Sequence, residues 1–170
     1  FASGLNALKP TAWKKGNELA RQLTLNTQYP KQQGVFLYSA RPFLRNPLGI
    51  CDSLKNNFFK YPALVPVNSN IKDGIASAQP QNIQITKEKD KAILTWDAVK
   101  EDYGKQIAYY VVYAFKGHEI GNINDPENIV VKTTGNFLYL SAYTAKLKGE
   151  YTFCVTSVNR YKHESAANSY

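Results

Sequence analysis

The chain has 170 residues, 44% of them hydrophobic and 13% aromatic, which is enough to build a core and excludes a disordered polypeptide. Its formal charge of +8 suggests nucleic acid, but the charge is uneven: residues 1–78 hold ten Lys/Arg against three Asp/Glu, a net of +7, and residues 79–170 hold eleven against ten, a net of +1. The basic residues of the front are scattered rather than clustered, so no nucleic-acid partner is expected.

No apolar run approaches the ~20 residues of a membrane-spanning helix, and no signal peptide opens the chain. Methionine is absent, so Phe1 is expected to follow a cleavage or to lie inside a longer protein. The cysteines, Cys51 and Cys154, form neither a disulfide framework nor a metal site, and His118 and His163 lack ligand spacing. Free thiols, surface histidines, no metal and no cofactor are the expectation.

In chain order, "FASGL" reads as the end of a strand. "AWKKGNELARQLTLNTQ" (residues 12–28) predicts a helix: Leu19, Ala20 and Leu23 share a face with Trp13 and Gly16, and Thr11 after Pro10 can cap it. "QYPKQQ" is a loop. "GVFLYSA" follows as a strand whose run Val35, Phe36, Leu37, Tyr38 lacks alternation, the pattern of a parallel strand covered on both faces. "NPLGICDSLKNNFF" predicts a second helix or pair of turns. Strand, helix, strand, helix makes two βα units, and two parallel strands cannot close a barrel or cover their own faces. This front part needs partners.

Residues 61–82 are rich in Pro, Asn, Ser and Gly, the punctuation of a connector. Beyond it the apolar pattern changes to period two. "AILTWD", "IAYYVVYAF", "NIVVKTT", "NFLYLSAY" and "EYTFCVTSVN" predict short strands separated by turn residues, as in a β-sandwich. In the last, Tyr151, Phe153, Val155 and Ser157 share one face and Cys154 takes the other. Tyr109, Tyr110, Tyr113, Tyr139 and Tyr143 invite a sugar-stacking reading, set against the ordinary use of tyrosine in strands, ring buried and hydroxyl wet.

From Ala78 to Tyr170 the chain resembles a fibronectin type III domain. The resemblance is carried by Pro80, Trp96, Tyr110, Val112, Leu147 and "GEYTFCVTSVNRYKHES". It implies a tyrosine corner at Tyr151, with the hydroxyl bonding backbone upstream. "QGVFLYSARPFLRNPLGICDSLKNNFFKYPALVP" resembles the end of the catalytic domain in the glycosyl-hydrolase-like (β/α)₈ barrel family, formerly domain of unknown function 187. The carriers are Gly34, Phe36, Ser39, Asn46, Pro47, Gly49, Asp52, Ser53, Leu54, Phe58, Phe59, Tyr61, Pro62 and Pro66.

Together the resemblances imply three segments: residues 1–67 as the last two βα units of a TIM-like barrel, 68–78 as a linker, and 79–170 as an all-β fibronectin type III sandwich. They imply the C-terminal part of an exported bacterial protein, periplasmic or at the cell surface and in such proteins often a lipoprotein, that acts on a glycan. The alternative is a non-enzymatic carbohydrate- or protein-binding module built on the sandwich. Barrel sites lie at the C-terminal ends of strands, which places Asn6, Tyr38, Ser39 and Arg41 at the rim as substrate-binding candidates. Arg41 could contact a sugar or anchor its loop, and Tyr38 could stack or pack. Glycoside hydrolysis usually needs two carboxylates, and neither strand end supplies one. Glu18 falls in a helix, Asp73 in the linker, and Asp52 reads as a helix-start residue against a catalytic one. No catalytic residue is therefore assigned, and residues 1–67 are expected to need the missing barrel strands or another chain.

Overall fold

A computed structural model describes residues 2–6, 17–29, 31–32, 34–38, 40–67, 76–88, 91–100, 106–144 and 147–169. The chain divides into two units, Phe1–Tyr61 and Pro62–Tyr170.

In the first unit, β1 (Ala2–Asn6) pairs in parallel with β2 (Gly34–Tyr38), and α1 (Glu18–Thr27) connects them. A parallel pair requires such a crossover. Two more helices follow, α2 (Arg41–Arg45) and α3 (Ile50–Asn57). Leu19, Leu23 and Leu54 form the core, with Val35, Leu37, Phe43 and Phe58 against it. The spacing of Leu19 and Leu23 turns one stripe of α1 inward, as the sequence predicts. Thr11, Trp13 and Gly16 lie outside the described residues.

The continuous apolar run of β2 is covered on one face only. Val35 and Leu37 meet the helices, whereas Phe36 between them is 65% exposed. Successive side chains of a strand point to opposite faces, and the described helices that pack on β2 lie on the side of Val35 and Leu37. The expected coverage of both faces is therefore not supplied by the described residues.

The link between α2 and α3 is tightly turned. Asn46, Leu48 and Gly49 all take positive φ, at 44°, 57° and 67°. Asn46 tolerates this because its amide bonds locally: Oδ1 accepts from the Cys51 backbone N–H at 2.8 Å and Nδ2 donates to Asp52 Oδ2 at 2.8 Å. One side chain thus ends α2 and fastens the first turn of α3.

The second unit consists of two antiparallel sheets. β3 (Gln84–Glu88), β4 (Lys91–Thr95) and β7 (Phe137–Tyr139) form one; β6 (Ile129–Thr133), β5 (Ile107–Lys116), β8 (Tyr151–Asn159) and β9 (Asn168–Ser169) form the other in that order. They face each other across a core of Leu94, Trp96 and Leu138 from one side and Tyr110, Val112, Phe153 and Val155 from the other. The Trp96 and Tyr110 rings meet edge to face at 5.5 Å, and the Tyr110 hydroxyl accepts from the Val99 backbone N–H at 2.8 Å. Tyr151 packs partly buried against this core. Residues 145–146, just upstream, lie outside the described residues.

The reverse face of the four-stranded sheet is also buried. Val111, Tyr113, Phe115, Cys154 and Val158 form a second cluster, with Leu64, Ile123 and Ala167 over it. Pro62–Val67, which the resemblance assigns to the barrel end, thus groups with the second unit: Leu64 joins this cluster, and the Ala63 carbonyl accepts from Lys132 Nζ at 3.0 Å. Gly121 approaches Phe115 so closely that a Cβ there would stand 2.8 Å from Cδ1 of the ring.

Candidate functional site

The register of the parallel pair sets Asn6 opposite Tyr38 at the C-terminal ends of β1 and β2. Arg41 follows as the first residue of α2, with an exposed side chain. Three of the four rim candidates therefore come to one end of the strand pair by backbone placement. Ser39, between Tyr38 and Arg41, lies outside the described residues, as does Asp73.

Neither strand end carries a carboxylate, and the described acids of this unit stand in the first turns of helices. Glu18 opens α1 and pairs with Arg21 at 3.2 Å. Asp52 sits exposed in the first turn of α3, where a negative charge complements the helix dipole and accepts the Asn46 amide. Both have local partners, Arg21 for Glu18 and Asn46 for Asp52.

Two apolar clefts flank α3. One, of about 350 Å³, is lined by Leu23, Gly34, Val35, Phe58 and Phe59 and opens toward the N-terminal end of β2, opposite the rim. The other, of about 270 Å³, is lined by Leu37, Phe43, Cys51, Leu54 and Phe59. Both lie on the helix-covered face of β2, and neither has an acidic lining residue. Their linings are mainly apolar side chains of α1, β2 and the segment from α2 to Phe59, as expected where helices pack on a strand. Cys51 donates its thiol to the Phe43 carbonyl at 3.0 Å, and burial, then the Asp52 charge, raises its pKa. A thiol held protonated is a poor nucleophile.

In the second unit, Glu164 Oε1 accepts from the Tyr113 hydroxyl at 2.6 Å and also from the Thr156 hydroxyl. Burial, and then the Glu164 hydrogen bond and charge, push the Tyr113 pKa up. Cys154 is fully buried and its pKa is pushed up to about 12, chiefly by burial. The two bonds to Glu164 fasten a residue near the end of the chain to the sheet. His118 is exposed and lies 3.1 Å from Glu150. His163, expected at the surface, is half-buried, and its Nε2 is buried without a partner among the described residues. Its backbone is drawn inward because the Asn159 side chain accepts from both the Tyr161 and His163 N–H groups, at 2.9 and 3.0 Å.

The structure also sorts the tyrosines. Tyr110 and Tyr113 are buried, and Tyr109 and Tyr143 are half-buried; Tyr139 is 49% exposed beside Phe137 at 50%. In the sequence Phe137 is marked only by its alternation with Leu138, which is buried.

Among the described residues, no group of three or more His, Cys, Asp or Glu is placed to hold a metal, and no helix is long and apolar enough to cross a membrane. No family model matches the chain. Among solved structures it is similar to the spore cortex lytic enzyme SleM of Clostridium perfringens, with a TM-score of 0.42 and 16% identity, over 59% of this chain and 29% of that one. A structure of titin kinase and its flanking domains gives 0.42 and 19%, over 55% and 16%. The M60 catalytic domain of Clostridium perfringens ZmpC in complex with the sialyl T antigen gives 0.38 and 14%, over 58% and 17%. Among curated proteins the chain is 32% identical over 157 residues to the glycosyl hydrolase YngK of Bacillus subtilis (strain 168). Across 92% of its length, then, the chain is homologous to a glycosyl hydrolase, and it spans 30% of that relative.

Proposed function

We propose that this chain is the C-terminal portion of an exported glycoside-hydrolase-like protein that acts on a glycan. The observation that carries this is the 32% identity to a glycosyl hydrolase, sustained over 92% of the chain. In this reading the first unit is the last two βα units of a (β/α)₈ barrel and the second is a fibronectin type III sandwich.

Three features support the barrel reading. A parallel β–α–β unit carries its helices on one face of the strands. Phe36 projects from the other, where a closed barrel would have its interior. Asn6 and Tyr38 share the strand ends where a barrel places its site. The sheets of three and four strands, with Trp96 against Tyr110 between them, support the sandwich reading. Asn6, Tyr38, Ser39 and Arg41 would line the wall of the site. The acid and the base or nucleophile would come from other strands, because the strand ends here carry no carboxylate.

The 170-residue chain alone is accordingly proposed to be inactive. The test compares it with a version extended by its upstream sequence, assayed for release of reducing ends from a panel of polysaccharides. Release by the extended protein and none by the 170-residue chain is the expected result. Release by the chain alone, or by neither, overturns the reading. Export is tested by cell fractionation with an antibody to the second unit; recovery in the cytoplasm alone counts against it.

A further inference from the structure

We propose that the outer face of the three-stranded sheet, centred on Phe137 and Tyr139, is a binding platform for a neutral glycan chain. The proposal rests on the glycan reading above for its ligand class and on the geometry of this face for its place.

The register lays out the face row by row. Gln84 stands opposite Thr95, which stands opposite Phe137; Thr86 stands opposite Ile93, which stands opposite Tyr139. Leu94 and Leu138, one step along the same strands, point into the core, so these residues form the outward set. Phe137 and Tyr139 are 50% and 49% exposed, and Tyr161 follows at 37% among the aromatics of this unit that stand furthest out. Exposing two aromatic rings on a three-residue strand forgoes burial worth ~1.5–3 kcal/mol for a full side chain.

The rings are already ordered. They meet edge to face at 5.7 Å and 81°, and Lys91 Nζ lies 5.8 Å from the Tyr139 centroid. A ligand therefore freezes little when it docks. The chemistry around them is hydroxyl and amide, from Thr86, Thr95 and Gln84, with the Lys91 ammonium as a further donor. A pyranose has one face of C–H groups, which lies against an aromatic ring, and a rim of hydroxyls, which hydrogen-bond to such side chains.

Charge and area decide between occupants. Gln84, Thr86, Ile93 and Thr95 carry no charge and the Lys91 ammonium lies over the Tyr139 ring, so the face favours an uncharged ligand. Burying the exposed halves of two aromatic side chains removes roughly 150–250 Å², well short of the ~800 Å² per partner of a stable protein interface. A sugar or two fits that area.

The experiment uses the 170-residue chain in pull-downs on insoluble cellulose, chitin and starch, with a bovine albumin control. Wild type is expected to be retained on at least one of these. The Phe137→Ala/Tyr139→Ala pair is expected to weaken retention about tenfold or more, with the unfolding midpoint unchanged. Tyr139→Phe keeps the ring and is expected to retain binding, and Tyr161→Ala is expected to be neutral. No retention of wild type, or equal retention of the double variant, overturns the platform. So does a wild-type dimer in sedimentation that the double variant abolishes, since the face would then serve self-association. Cleavage by the extended protein without retention sinks the platform alone, and retention without cleavage sinks the hydrolase reading alone.

Discussion

Phe36 and Leu94 each sit inside a five-residue strand and follow a β-branched apolar residue, yet Phe36 is 65% exposed and Leu94 is fully buried. Leu94 has an opposing sheet: Tyr110, Val112 and Val155 close over it. Phe36 has helices on the far side of its strand and nothing described on its own. The second unit therefore completes its core from its own residues, whereas the described residues of the first form a core on one face of β2. A sandwich supplies both of its layers. A pair of parallel strands supplies one and borrows the rest, and this difference in closure predicts how each unit responds to substitution.

The largest effect is expected inside the closed core. Trp96→Ala removes a side chain that is 2% exposed and its edge contact with Tyr110, and should cost about 3–5 kcal/mol in urea unfolding. Equal stability of wild type and variant would show that the sheets do not depend on this contact. Glu164→Ala strands the Tyr113 and Thr156 hydroxyls, and should cost about 1–3 kcal/mol by the same measurement. Gln at 164 should recover part of it, because an amide oxygen can still accept.

Cys154 gives a pH signature confined to the second unit. Its folded pKa of about 12 lies above its ordinary value of 9.0, so folding favours the protonated thiol. The stability it contributes is complete below pH 9 and is lost as pH rises toward about 12. Cys154→Ala should flatten the alkaline decline of the melting temperature without removing it, since the raised Tyr113 pKa acts in the same direction. An identical alkaline profile would refute the assignment.

In the first unit the expected effects are smaller. Asn46→Ala gives up both amide contacts and a residue suited to positive φ, at about 1 kcal/mol. Asn46→Gly keeps the backbone freedom and should cost less. Phe36→Ser should change stability by no more than about 0.5 kcal/mol and raise solubility, because the ring is already exposed. In a version extended by the upstream sequence, the same substitution should destabilise as a buried one does. If it remains neutral there, the barrel reading loses its main structural support.

Much of this organisation is legible residue by residue. The period of Leu19 and Leu23 predicts the face that α1 buries, and the period of Phe153, Cys154 and Val155 predicts which enter the inter-sheet core and which lie behind it. The absence of carboxylates from both strand ends is plain in the sequence. Less is legible where side chains from distant positions meet. Nothing local says that Glu164 receives the Tyr113 hydroxyl 51 residues away. Nor does a run of tyrosines reveal that Tyr113 is buried and Tyr139 open. β9 is two residues long, too short for any periodicity to declare it.

The sequence by itself determined the period of each element, the connector-like composition of residues 61–82, and the shortage of acids in the front, because these depend on neighbours along the chain. Tertiary structure alone decided that β6 and β7, separated by three residues, join different sheets. It also decided that Phe36 stands exposed on β2 and that Phe137 and Tyr139 face outward together. Each of these depends on which surfaces meet in space. Strands of equal apolarity are buried or exposed according to whether another layer closes over them.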